Sequence, residues 1–333
     1  MRWMSGGSGG YGDRVPTLGG LLFELSGGPA DAAEVARLRT ADDPDTPVLP
    51  AEIEWYWRRD QIDSRVFERW LGRDDHERVM AYASFQHRAW RAGVERWASV
   101  GVLAHPEVLA ADLWSHLYDF LGSRVRGAQH LRSEILETRE ERIRLLEGLG
   151  WRRDRVGRRW ELDLVEGHQR LTALAEAGRD RMAEAGITLT TWDRADRPGL
   201  LEAAHAVSSE GDLDVPSSEP AEASSLAAFR AWLDSEGIHR DRLWLAFDAD
   251  GVVGISVLKY GEVVWTDWTC SARRARGRGV ARALKLETVL QARQLGFRLV
   301  RTENDGENAP ILYLNAQLGY RAIPGIQAMV LDL

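Results

Sequence analysis

Asp267-Trp268-Thr269-Cys270-Ser271-Ala272-Arg273-Arg274-Ala275-Arg276-Gly277-Arg278-Gly279-Val280-Ala281 is the stretch of this chain that decides how it folds. Before it, Val263–Thr269 alternates like a β-strand; after it, Val280–Leu295 has the spacing of a long amphipathic helix. An arginine- and glycine-rich segment therefore joins a strand to a helix. Glycines at 277 and 279 let the backbone turn sharply and bring its N–H groups close to a ligand. The helix start adds unpaired N–H donors and the positive end of its dipole. That combination suits a pyrophosphate, and Arg274, Arg276 and Arg278 add charge-assisted donors.

Other phosphate motifs fit less well. A nucleotide P-loop needs Gly-Lys-Ser/Thr, which is missing. A dinucleotide fingerprint needs a third small residue where Arg282 stands. A nucleic-acid patch or a solvated face accounts for arginines but does not require the glycine spacing. Gly6-Gly7-Ser8-Gly9-Gly10 matches a nucleophile elbow only formally, without the strand and helix that motif needs.

Working outward, 333 residues suggest two domains. Placing Gly127 on Gly296, an offset of 169, aligns the chain without a gap as far as Leu164 and Leu333. Identical pairs include Arg132/Arg301, Glu134/Glu303, Leu149/Leu318, Gly150/Gly319 and Arg152/Arg321, and Leu162-Asp163-Leu164 matches Leu331-Asp332-Leu333. The expected architecture is a duplicated α/β (α+β) domain. The reading divides the chain into a flexible tail over 1–20, a first domain over 21–165, a helical linker over 166–186 and a second domain over 187–333. Gly211–Ala221, rich in Pro, Ser and acidic residues, reads as an exposed loop.

Composition narrows the function. With 44% hydrophobic and 28% charged residues, wholesale disorder is excluded. No apolar run approaches the roughly 18–20 residues that span a bilayer, and no apolar leader is visible at the amino terminus. The one cysteine, Cys270, forms no internal disulfide, which fits a cytoplasmic protein. A net charge of −8 and a pI near 5.6 argue against nucleic-acid binding. Of 43 basic residues only Lys259 and Lys285 are lysines, which we read as a GC-rich bacterial genome. The histidines form no His-x-x-x-His or His/Cys cluster, so no metal is expected.

The segment resembles the pyrophosphate loop of the GNAT superfamily of acyl-CoA-dependent N-acyltransferases, Gln/Arg-x-x-Gly-x-Gly/Ala, which Arg274-Ala275-Arg276-Gly277-Arg278-Gly279 satisfies. The resemblance continues in Thr302-Glu303-Asn304, Asn308, Asn315 and Leu318-Gly319-Tyr320, and covers the second half fully and the first more weakly. It implies two tandem GNAT-like domains, each a mixed, mainly antiparallel sheet flanked by helices. It implies acetyl-CoA as co-substrate, with the backbone of Trp268, Thr269, Cys270 and Ser271 along the pantetheine arm and thioester. The backbone of Arg274, Ala275, Arg276, Gly277, Arg278, Gly279 and Val280 would hold the pyrophosphate, and Asn308 and Asn315 would line the coenzyme's course.

The first half departs from this pattern. Aligned on Pro106, Leu109-Ala110-Ala111-Asp112 stands where Arg276-Gly277-Arg278-Gly279 stands, pointing a carboxylate at the phosphate site, and Arg139 and Leu146 replace Asn308 and Asn315. The first domain is expected to have lost the coenzyme and to serve as scaffold or as one wall of the acceptor site.

Amine acylation by a thioester needs an unprotonated amine, stabilisation of the oxyanion and a proton for the leaving thiolate. Asp267 and Glu303 are the candidate bases, with Glu262 a weaker choice, and the N–H of Thr269 or Cys270 is the expected oxyanion donor. Many family members place an acidic tyrosine where Asn315 stands. Tyr313, two residues earlier, is rotated by roughly 200° on a helix and does not substitute, and Tyr320 reads as a packing aromatic. No histidine is near Cys270 in sequence, so direct transfer is expected over a covalent route. The reading is an N-acetyltransferase for a small-molecule amine, monomeric or homodimeric. The alternatives are an acetyl-CoA-binding regulatory module without turnover, or a relative of mycothiol synthase, itself a tandem GNAT with a weakened first half.

Overall fold

The offset of 169 survives in three dimensions. A computed structural model describes residues 17–26, 28–63, 65–108, 111–195 and 197–333. The first half runs β1 (Thr17–Leu18), β2 (Leu21–Leu25), α1 (Pro29–Asp42), α2 (Pro50–Ile62), β3 (Val66–Arg73), β4 (Val79–His87), β5 (Trp97–Ala104), α3 (Ala111–Arg124), β6 (His130–Leu136), α4 (Glu140–Gly148) and β7 (Arg152–Asp163). Helix α5 (His168–Glu184) leads to β8 (Thr188–Thr191), α6 (Leu200–Asp214), α7 (Leu226–Leu233), β9 (Trp244–Asp248), β10 (Gly251–Lys259) and β11 (Val264–Ser271). The chain then closes with α8 (Val280–Gln294), β12 (Leu299–Asp305), α9 (Ala309–Leu318) and β13 (Arg321–Asp332). The same offset carries β6 onto β12 and β7 onto β13, end to end.

All strands join one 13-stranded sheet in the order β1-β2-β3-β4-β5-β6-β13-β7-β12-β11-β10-β9-β8. Only β5/β6 and β11/β12 are parallel; every other neighbouring pair is antiparallel. The sequence halves and the sheet halves do not coincide at the centre. The last strand of each half crosses over: β13 pairs with β6 of the first half, and β7 pairs with β12 of the second. Burial follows the exchange. Met329 of β13 packs into the first-half core with Leu117, Leu131 and Ile143, while Leu162 of β7 packs with Leu286, Val289 and Val300 of the second. Each such fully buried side chain contributes about 1.5–3 kcal/mol to the half that did not encode it.

Two boundaries differ from the sequence reading. Thr17–Leu18 pair with Leu21–Leu22 around left-handed Gly19 and Gly20, so the end of the proposed tail is a hairpin. The Gly6–Gly10 motif lies outside the described residues. Helix α6 runs on through Gly211–Asp214, which composition assigned to a loop. A Cβ at Gly211 would sit 2.8 Å from the Trp268 ring and 2.9 Å from Cys270 Cβ. Glycine here serves close helix–strand packing, and no turn forms.

Candidate active site

Strand β11 lies beside β12 for only part of its length. Val264, Thr266 and the residue between them pair with Val300–Thr302, and beyond that the two strands share no pairing. The separation begins at a bulge. Val257 of β10 faces Trp268 and Leu258 faces Thr266, leaving Asp267 as the extra residue. From Trp268 to Ser271, β11 is held by β10 on one edge and faces the gap on the other. Thr269 is anchored to Ser256 by a hydroxyl–hydroxyl bond of 2.8 Å.

The loop after β11 makes a 3-10 turn over Arg273–Ala275, then passes through two left-handed glycines, Gly277 (φ 74°) and Gly279 (φ 89°), into α8. Side chains with a Cβ are strained in that region, which is why glycine stands at both places. The N–H groups of Gly277, Arg278 and Gly279 find no acceptor among the described residues, and the first-turn N–H groups of α8 are free by helix geometry. These donors converge at a helix start with no acid in its first turn. They fit a pyrophosphate.

The arginine side chains are placed otherwise than the sequence suggested. Arg273 forms a two-pronged pair with Asp214 (2.7 and 3.2 Å), and Arg276 also donates to Asp214. Arg274 donates to Asp248, and Arg278 donates to the Ala185 carbonyl at 2.8 Å. Hydrogen bonds from Arg273 and Arg276 hold the Asp214 carboxyl down at about 2. The arginines thus fix the loop's shape from outside, and the backbone is left as the donor array.

Behind the loop, polar groups run through the interior. Lys285 of α8 and Asn315 of α9 are both fully buried; Lys285 Nζ donates to Asn315 Oδ1 (2.7 Å), and Asn315 Nδ2 donates to Asn304 Oδ1 (2.8 Å). Desolvation brings the Lys285 ammonium down to about 7. Asn315 is therefore enclosed and not at a ligand-accessible surface. Asn308 stands at the N-cap of α9 without a side-chain capping bond, and Tyr313 points outward, 67% exposed. Tyr320 is buried, as a packing aromatic should be, with its ring 4.8 Å from Lys285 Nζ. Sequence reasoning passed over Lys285, although one of two lysines on the apolar side of a helix was a visible signal.

The candidate bases meet in one cavity of about 730 Å³ between α1–α2 of the first half and β10–β12 of the second. Asp267 opens into it, and Trp232 Nε1–H donates to its Oδ2 at 2.6 Å. Desolvation by the surrounding protein raises its carboxyl above the ordinary range, against the Trp232 hydrogen bond and the nearby Lys259. Glu303 lines the same cavity but is bound to Arg159 (2.9 Å), which also holds Asp43 (2.7 Å). Desolvation raises the Glu303 carboxyl too. Glu262 lies in the exposed turn between β10 and β11. Cys270 faces α6, 3.6 Å from the Val207 carbonyl, and burial pushes its thiol up to about 12.

No protein-family model matches the sequence, and none of the curated proteins does. Solved structures do. A tandem GNAT protein from the clavulanic acid biosynthesis pathway, solved without AcCoA, superposes with a TM-score of 0.67 at 18% identity over 94% of this chain and 98% of that one. A GCN5-related N-acetyltransferase from Sphaerobacter thermophilus gives 0.62 at 20% identity over 93% and 95%. The chain has the tandem GNAT fold.

Within that tandem GNAT fold the two halves treat the same groove differently. In the first half the 3-10 turn Pro106–Val108 and α3 are separated only by Leu109 and Ala110, where the second half has Arg276–Gly279. Leu109 and Ala110 lie outside the described residues, Ala111 opens α3 as Val280 opens α8, and Asp112 is exposed in the first turn. The groove between β5 and β6 is also entered by an arginine. Arg142 of α4 lies 3.9 Å over the Trp114 ring, donates to the Val102 carbonyl and pairs with Asp42. The matching positions of the second half are Ala283, Ile311 and Thr269, and no described side chain donates to the Thr269 carbonyl. The interior polar chain is likewise confined to one copy, since Ile135 and Leu146 stand where Asn304 and Asn315 do.

Proposed function

We propose that the protein is an acetyl-CoA-dependent N-acetyltransferase acting on a small-molecule amine in the cytoplasm, with transfer in the second half. The observation that carries this reading is the alignment of three features along β11: free backbone donors at Gly277–Gly279, an unpaired edge from Trp268 to Ser271, and Asp267 opening into the cavity. Acetyl-CoA would supply an activated acyl group. The loop and the start of α8 would hold its pyrophosphate, and the β11 edge would align the pantetheine arm. Asp267 accepts the proton that the attacking amine sheds, directly or through water; its raised carboxyl makes it a better base than an ordinary aspartate. An N–H of Thr269 or Cys270 faces the developing oxyanion. The raised thiol of Cys270 supports direct attack over an acyl-enzyme. The arginine in the β5/β6 groove supports a first half without coenzyme, contributing α1 and α2 as a wall of the acceptor cavity.

A regulatory protein that binds acetyl-CoA without turnover is the competing reading, favoured by the enclosure of Asn315 where many relatives of this fold keep an acidic tyrosine. Calorimetric titration with acetyl-CoA, followed by thiol release with an amine panel, tests both. One site per chain, lost in Gly279→Asp, with amine-dependent release of free thiol is expected. Binding without release supports the regulator, two sites overturn the silent first half, and no binding overturns the assignment.

A further inference from the structure

Resting on the transferase reading, we infer that the acceptor is a zwitterionic aminocarboxylate, its amine at Asp267 and its carboxylate at Arg59. Most of the charges that line the cavity are paired. Lys259 is bound to Glu52 (2.8 Å), Arg69 to Asp60 (2.6 Å), and Arg159 to Asp43 and Glu303. Arg132 and Arg142 have Glu134 and Asp42. These pairs neutralise one another and leave little to attract a ligand.

Two charges of the lining, Asp267 and Arg59, make no ion pair among the described residues. Asp267 accepts a hydrogen bond from the Trp232 N–H, and Lys259, already bound to Glu52, acts on it only from a distance. Arg59, on α2 of the first half, makes no ion pair, and its buried Nε has no hydrogen-bond acceptor. Its guanidinium carbon lies instead 5.4 Å from the centre of the Trp55 ring and 5.5 Å from that of Tyr56. The remaining unpaired lining charges are Arg39 and Glu262, again one of each sign.

Arg59 and Asp267 face the same space from opposite halves, and the scaffold ties them together. Trp55, under Arg59, donates to the Ala231 carbonyl of α7 (3.5 Å), and the next residue, Trp232, donates to Asp267. The charge of Arg59 also acts on the Asp267 carboxyl. A simple cationic amine would meet Asp267 but be repelled by Arg59 and Lys259. An acceptor carrying both an amine and a carboxylate satisfies both leftover groups at once with charge-assisted hydrogen bonds. The first half would then read the acceptor's acidic end while the second acetylates its basic end.

The test is steady-state transfer from acetyl-CoA to a panel of α-, β- and ω-amino acids, each assayed beside its methyl ester and its decarboxylated amine. The free amino acid is expected to exceed both by about tenfold or more in kcat/KM, as for a lost charge-assisted contact. Arg59→Met should erase that preference by raising KM for the amino acid alone, with acetyl-CoA affinity unchanged. Arg59→Lys should restore part of it, which a merely structural role would not do. Amines accepted equally without the carboxylate, or an Arg59→Met variant that keeps the preference, overturn this inference and leave the transferase reading standing. Transfer to no member of the panel while acetyl-CoA binds overturns both.

Discussion

Lys285 donates to Asn315 across 2.7 Å, with neither side chain reaching solvent. Burial lowers the lysine to about 7 from an ordinary value of 10.5. Between those values the unfolded chain binds a proton that the folded protein does not, so stability rises with pH across that window. Below about pH 7 the lysine is protonated in both states and the full cost of burying its charge applies. Urea denaturation from pH 6 to 10 should show a gain on the order of a few kcal/mol in the parent protein. Lys285→Met should flatten that slope and be the more stable protein at the acid end. A slope that persists in the variant would assign the titration to another group.

Asp214 holds two arginines of the loop between β11 and α8, Arg273 and Arg276. Asp214→Asn removes that hold and frees both guanidinium groups. Calorimetry should then find acetyl-CoA binding tightened by roughly two- to tenfold at low salt, with a steeper loss of affinity as salt rises. Unchanged affinity and salt slope would mean that the backbone donors act alone.

Cys270 titrates far above neutrality because burial disfavours its thiolate. At pH 8 a thiol-reactive disulfide reagent should label the native protein orders of magnitude more slowly than the denatured chain, which reacts at the ordinary thiol rate. Rapid native labelling would place Cys270 in a more open and electropositive setting and revive a nucleophilic role for it.

The loop and its flanking elements were legible because glycine spacing and hydrophobic period are local properties. Duplication was legible too, since the offset that aligns Arg132 with Arg301 also aligns the strands that carry them. What escaped is decided between distant segments. β7 and β13 have the same length and the same closing Leu-Asp, so nothing in the linear pattern says which of them pairs with β6. The loop arginines announced their charge but not Asp214 and Asp248, which come from a helix and a strand elsewhere in the chain. Gly211 carried two signals, turn-former and close packer, and only its contact with Trp268 selects between them. The plug in the first groove needed Arg142, Trp114 and Val102 brought together, although a tryptophan opposite Ala283 in the repeat was visible in advance.

The crossing of β7 and β13 also sets an order on biosynthesis. The strand that lies against β6 is made only after the rest of the second half, so the first half must wait, with its central edge open, until β13 has left the ribosome. Until then β7 is the neighbouring strand of similar pattern, and a nascent chain that pairs it with β6 would have to release it before the finished sheet could form.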